Sequence, residues 1–257
     1  MSGTDHSKEP DWSREGPVSI LVEPQMGENI GAAARALWNF GLRRMRIVNP
    51  RDGWPNPKAG AMASGAGGLL DEARVFESTG AAVADLHFVY ATTARPRELT
   101  KRVLTPEAAM REAAARISAG ERVGVLYGRE RTGLENADII RADAIVSVPV
   151  NPAFASLNLA QCVLVMAYEW RRSFDATPAE EFVGGRAAPA LGADVQRLVE
   201  HLVGALSDAG FFYPEEKRPA MEANLRNLIH RLPLSDQDVR TLRGVIRTLA
   251  EAPKRRR

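Results

Sequence analysis

The sequence has one cysteine, Cys162, among 257 residues, so an intrachain disulfide and a cysteine-rich zinc site are both excluded. No window approaches about 18 uninterrupted apolar residues, the length a membrane helix needs, and the first residues form no apolar signal segment. These absences predict a cytoplasmic setting without a membrane partner. Histidine is scarce as well: His6 falls in the leader, His87 in a strand pattern that suggests a core or sheet residue, and His201 and His230 in late helical patterns. No metal-ligand spacing links them, so neither a metal site nor a hydrolytic triad assembles. Neither G-x-x-x-x-G-K-[ST] nor G-x-G-x-x-G occurs, which argues against an NTPase or a dinucleotide enzyme. A strong charge is also missing, with 34 Lys and Arg against 32 Asp and Glu. From Phe211 onward, however, 11 basic residues face 6 acidic ones and the chain ends in "PKRRR", an asymmetry that suits an anionic partner.

Residues 1–16, "MSGTDHSKEPDWSREG", are polar and aperiodic and read as a disordered leader. From Pro17 to Arg172, short apolar runs ("VSILV", "MRIVN", "LHFVYAT", "RVGVLYG", "AIVSVPV") alternate with helical patterns. That alternation predicts an α/β domain over 17–172 with a mainly parallel sheet. Thr105 followed by Pro106 marks a capped helix start. Residues 173–191, rich in Gly and Pro without apolar period, read as a linker. Beyond them the 3.6 period returns, with Val195, Leu198, Val199, Leu202 and Leu206 on one face, and 192–257 is expected to be a small helical domain with a basic tail.

Ligands of parallel α/β sheets bind beyond the carboxyl ends of the strands, and the loops there have unusual contents. After the first strand comes "EPQMGENIGAAAR", where Asn29 is placed to cap a helix and Arg35 lies about one turn inside it. After "FVYA" comes "TTARPRELTKR", whose Arg95, Arg97, Lys101 and Arg102 suit a phosphate backbone. After "GVLY" comes "GRERTGLEN", with Gly128 open to close backbone approach and Glu130 between two arginines, an expected ion pair. After "IVSVPV" comes "VNPAFASLNLAQ", where Asn151-Pro152 is turn chemistry and Ser156 is a candidate helix cap.

Taken in order, these loops resemble the motifs of the SPOUT superfamily of RNA methyltransferases, and within it the TrmJ-like tRNA ribose 2′-O-methyltransferases. The first motif is similar to "LVEPQMGENIGAAARAL", with its N-x-G-x-x-x-R core at Asn29, Gly31 and Arg35; the second to "LYGRERTGL"; the third to "VPVNPAFASLNLAQCVLVMAYE". The resemblance implies an α/β fold tied in a trefoil knot and a homodimer that binds S-adenosylmethionine and acts on tRNA. It implies cofactor contacts at Thr92, Thr93, Ala94, Gly128, Val148, Ala155, Ser156 and Leu157; Ala155 stands where relatives often have a second Ser. It implies catalytic groups at Asn29, Arg35, Ser156 and Asn158. A guanidinium is a poor base at neutral pH, so Arg35 is expected to orient the target and stabilise charge. RNA contacts are expected at Arg43, Arg44, Arg46, Arg95, Arg97, Lys101 and Arg102. The activity implied is 2′-O-methylation of a pyrimidine ribose in the tRNA anticodon loop, at a position of the 32 type. The alternatives are an rRNA 2′-O-methyltransferase of the same superfamily and an inactive RNA-binding knotted protein.

Overall fold

The computed structural model describes residues 15–93, 100–179 and 188–251. The chain divides into two compact units between Thr177 and Pro178, inside the stretch read as a linker. In the first unit seven described strands form one sheet: β1 (Val18–Val22), β2 (Met45–Val48), β3 (Arg74–Phe76), β4 (Phe88–Thr92), β5 (Arg102–Leu104), β6 (Val123–Tyr127) and β7 (Ala144–Val146). Their order is β3-β2-β1-β6-β4-β7-β5, and every pairing is parallel.

The apolar runs become strands because both faces of the sheet are covered, so successive side chains all find a core. Leu21, Tyr90, Val125 and Tyr127 point into one cluster, closed by α1 (Gly27–Asn39), α2 (Pro57–Ala63), α3 (Gly67–Asp71), α5 (Pro106–Ser118) and α7 (Leu159–Arg172). Ile20, Val22, Val89, Ala91 and Leu126 point into the other, which α4 (Thr79–Val83) closes through Ala82 and α6 (Asn136–Ile139) through Ile139. Thr105 caps α5 by accepting from the Ala108 N–H at 3.3 Å, with Pro106 at the first helical position; such a cap contributes about 1 kcal/mol.

Several expectations are corrected. The run "AIVSVPV" is strand only through Val146; residues 147–150 leave the sheet toward the site. His87 is exposed just ahead of β4, its Nδ1 accepting the Arg122 N–H at 2.8 Å, rather than buried. β3 and β5 carry no apolar run, because short edge strands half-exposed to solvent do not need one. β5 lies inside the basic loop and changes its meaning: Arg102 donates to Glu112 at 2.8 Å, and Lys101 donates to the carbonyls of Ile140 and Ala142 at the end of α6. Both are tied into the fold.

Arg46 on β2 is corrected more sharply, since only 7 % of it is exposed. Its guanidinium donates to the Ala82 carbonyl at 2.6 Å and to both carboxylate oxygens of Asp85, one of them at 2.8 Å. A buried arginine held in this way is not presented to RNA. Its hydrogen bonds hold the Asp85 carboxyl down at about 2, so the pair contributes its stability above the ordinary aspartate range and loses it as pH falls from about 4 toward 2. Arg46→Ala is therefore expected to destabilise the protein by on the order of 1–3 kcal/mol, read as a lower Tm, with tRNA affinity unchanged. Weakened tRNA binding at an unchanged Tm would restore the RNA role.

The second unit contains α8 (Gly192–Asp208), α9 (Arg218–His230) and α10 (Asp236–Glu251). A bridge between Pro189 and Ser235 brings the entrances of α8 and α10 together. Leu198 and Val199 of the expected α8 face are buried, with Phe212 and Val239; Val195, Leu202 and Leu206 are half-buried.

Candidate active site

Four loops leave the carboxyl ends of β1, β4, β6 and β7 on one side of the sheet. Three of them, after β4, β6 and β7, join the first turn of α7 in enclosing a cavity of about 220 Å³. Thr92, Thr93, Gly128, Val148, Ala155, Ser156 and Leu157 all line it; Ala94, Arg95 and Arg97 lie outside the described residues. The Thr92 hydroxyl donates to the Leu126 carbonyl at 2.9 Å, so that hydroxyl belongs to the sheet.

The β6 loop curls over its own start. A Cβ on Gly128 would lie 2.2 Å from the Leu134 nitrogen and 2.3 Å from the Gly133 carbonyl carbon, so only glycine fits there. The close approach foreseen at Gly128 is thus made first by its own chain. Arg129 is nearly buried between the Glu23 carboxylate at 2.7 Å and Asp138 at 3.2 Å, which itself accepts from Thr79 at 2.6 Å. These partners raise the Arg129 pKa further, the hydrogen bonds to Glu23 foremost. Glu23 itself sits at φ 45°, a left-handed conformation that costs energy in a residue with a side chain and is held by this pairing.

Glu130, expected to pair with its neighbouring arginines, instead clamps the β1 loop. Its carboxylate accepts the backbone N–H of Gln25 at 2.8 Å, that of Met26 at 3.1 Å, and the Asn29 side-chain amide at 2.9 Å. Asn29 is correspondingly not the cap of α1: the helix begins at Gly27 behind Met26, and no side chain caps it. Ser156 does not cap α7 either; Asn158 does, its Oδ1 accepting from Ala160 at 2.8 Å and Gln161 at 3.4 Å. The Asn158 Nδ2 donates to the Asn29 Oδ1 at 3.0 Å. A directed chain results, from the amino end of α7 through Asn158 and Asn29 to the Glu130 carboxylate, and it fixes both amide orientations without ambiguity. The Asn158 oxygen is saturated by helix N–H groups, so its remaining capacity toward a ligand is one N–H donor.

Gly31 serves packing. A Cβ there would lie 2.2 Å from the Ala59 carbonyl, so the first motif's glycine is what lets α2 cross α1. Arg35 follows Asn29 by six residues, roughly 240° around the helix and about 9 Å along it, so the two cannot share a face. It is exposed and does not line the cavity of its own chain. Arg43 lies over the Trp38 ring at 5.4 Å, and Arg44 reaches the Gly16 carbonyl and the Glu15 carboxylate, both at 2.9 Å.

Sequence reasoning did not single out Tyr127, Arg131, Thr132, Gly133, Val146, Leu159 or Cys162 as lining residues. The spacing of Leu159 and Cys162, three apart on one helix face, was the available signal. Burial pushes the Cys162 thiol up to about 11, so it stays neutral at physiological pH and is no nucleophile.

Residues 17–168 match the SpoU rRNA Methylase family, and residues 193–257 match the tRNA methyltransferase TrmJ C-terminal domain. The protein named tRNA (cytidine/uridine/adenosine-2′-O-)-methyltransferase TrmJ of Pseudomonas aeruginosa is 34% identical over 235 residues, covering 88% of this chain and 91% of its own. The chain belongs to the TrmJ branch of the SpoU methylase family. An Escherichia coli TrmJ, named a tRNA (cytidine/uridine-2′-O-)-methyltransferase, is 33% identical over 91% of this chain and 95% of its own. The crystal structure of TrmJ from Z. mobilis ZM4 superposes with a TM-score of 0.79 at 46% identity, covering 91% of this chain and 99% of that one. The parallel sheet with its flanking helices is therefore the SPOUT-type α/β fold, followed by this family's helical carboxyl-terminal domain. Its first, second and third motifs supply, respectively, Asn29, Glu130 and Asn158 of the hydrogen-bonded chain.

Proposed function

We propose that this protein transfers a methyl group from S-adenosylmethionine to the ribose 2′-hydroxyl of a pyrimidine in the tRNA anticodon loop, at a position of the 32 type, in the cytoplasm. The observation that carries the reading is the cavity at the carboxyl end of the sheet, lined by the second and third motif segments, with the first motif tied to both through Asn29, in a chain whose residues 193–257 match a tRNA methyltransferase domain. That match favours tRNA over rRNA.

The cavity suits the donor. Val146, Val148, Leu157 and Leu159 offer apolar walls for an adenine, while Thr93, Ser156 and the backbone around Gly128 offer polar groups for a ribose and an amino acid. When bound, S-adenosylmethionine supplies an activated methyl on a sulfonium, so the protein's tasks are placement and charge stabilisation. The chain of Asn158, Asn29 and Glu130 holds the β1 and β7 loops against each other at the mouth. Asn158 presents its remaining N–H to an acceptor oxygen of the RNA, Ser156 offers a hydroxyl, and Arg35 grips the target phosphate and stabilises charge that develops on the 2′-oxygen. The neutral Cys162 thiol does not compete for the methyl.

The functional unit in this reading is a homodimer. Arg35 is exposed and off its own cavity, which supports a site completed by the partner subunit's Arg35. The reading also includes a trefoil knot. It is supported by β7 lying between β4 and β5, both earlier in the chain, and by α7 packing against α1 and α5. Arg43, Arg44 and the exposed arginines of α10 would meet phosphates. Arg95 and Arg97 keep the role expected from sequence.

Ribose methylation mapped by mass spectrometry in RNA from cells lacking the gene tests this. Loss confined to a pyrimidine of the tRNA anticodon loop is expected; an unchanged tRNA profile with a missing rRNA methyl group would overturn it.

A further inference from the structure

One aromatic side chain beside the cavity, Phe154, belongs to neither hydrophobic cluster of the described residues. Residues Pro152–Phe154 form a single 3-10 turn, pinned by the Asn151 side chain, which accepts the Ala153 N–H at 3.0 Å, and by the Phe154 N–H donating to the Asn151 carbonyl at 2.9 Å. The turn leaves Phe154 76 % exposed, and the next three residues, Ala155, Ser156 and Leu157, line the cavity. A phenylalanine on a pinned turn is pre-organised to receive a flat partner. The β6 loop contributes Arg131 to the same cavity, exposed and with no ion pair to any described residue, next to the exposed Thr132. An aromatic face and an uncompensated guanidinium at one opening match the two recognisable parts of a single-stranded nucleotide, its base and its phosphate.

Resting on the methyltransferase reading above, we infer that Phe154 and Arg131 form a nucleotide clamp at the cavity mouth: the base of the target nucleotide, turned out of the anticodon-loop stack, lies on the Phe154 ring, and a flanking phosphate sits on Arg131. Stacking is indifferent to base identity, so the clamp holds cytidine and uridine alike. It also brings the ribose of the stacked nucleotide toward the donor. Phe154 and Arg131 are substrate-holding groups and take no part in the transfer itself.

The test uses the full-length enzyme with intact tRNA. Phe154→Ala is expected to raise the KM for tRNA about ten-fold, the weakening that follows from losing one base–aromatic stack, with S-adenosylmethionine affinity unchanged. Phe154→Tyr should restore the KM, whereas Phe154→Leu, apolar but not flat, should not. Arg131→Ala should lower the slope of log affinity against log salt by about one phosphate contact. A wild-type KM in Phe154→Ala, or full rescue by leucine, would overturn the clamp. Conversion of a dimer into monomers by Phe154→Ala, seen in sedimentation, would overturn it in favour of a second copy of the chain covering the ring. A wild-type enzyme with no activity on tRNA would instead sink the functional reading, which keeps the two failures distinguishable.

Discussion

Arg35→Ala is expected to lower tRNA methylation by about 10²–10³-fold at saturating substrate, while calorimetric S-adenosylmethionine affinity and Tm stay at their wild-type values. The expectation follows from where Arg35 stands. It is exposed on α1, does not line the cavity, and forms no ion pair with a described residue, so neither pocket nor core depends on it. In the reading proposed above, what its removal costs is charge stabilisation around the reacting oxygen and a grip on phosphate. Arg35→Lys should recover little, because an ammonium cannot present the two parallel donors of a guanidinium. Mixing Arg35→Ala with a second variant whose cavity is filled, Ala155→Trp, should regenerate activity that neither has alone, since one of the two sites in the mixed dimer is then intact. Equal loss of cofactor binding and methylation in Arg35→Ala would overturn its role. Silence of the mixed sample would place Arg35 in its own subunit's site.

Glu130→Gln should cost about 10²-fold in kcat and lower Tm by several degrees, although it alters a single atom. Each carboxylate oxygen of Glu130 is an acceptor: one takes Met26 N–H and the Asn29 amide, the other Gln25 N–H. An amide in its place must turn an NH2 toward one of those donors. The lost contacts are charge-assisted and each is worth about 1.5–3 kcal/mol. The β1 loop is then released, and with it the Asn29 orientation that holds Asn158. Hydrogen exchange at Gln25 and Met26 should accelerate, a readout that a purely global destabilisation would not confine to two amides. A double-mutant cycle of Glu130→Gln with Asn29→Ala should be strongly non-additive, as members of one network are. Wild-type exchange and activity in Glu130→Gln would dismiss the clamp.

The features readable from the sequence were those set by neighbours in the chain. "VSILV" and "GVLY" had to be strands because they are short apolar runs, broken only by Ser19, and the Thr105-Pro106 start of α5 is decided within four residues. The features misread were those for which local chemistry offered two equivalent answers. Asn29 and Ser156 are both good caps, yet α1 begins without a side-chain cap and Asn158 caps α7. Arg46 looked like one more basic residue near a helix, and only the position of Asp85, 39 residues away, makes it a buried structural arginine. β5 went unseen because an edge strand of three residues leaves no periodicity to detect.

The sequence by itself determined the α/β class, the strands at the sheet's centre, the loops that would carry chemistry, and the family through its three motifs, because each of these is encoded in consecutive or near-consecutive residues. Only the tertiary structure decided which of the basic residues are free for RNA and which polar groups answer one another across the site. The bonds that decide it join residues 101 and 129 positions apart, Asn29 to Glu130 and Asn158 to Asn29. Such pairings are set by the order in which strands enter the sheet, and no local periodicity carries that order.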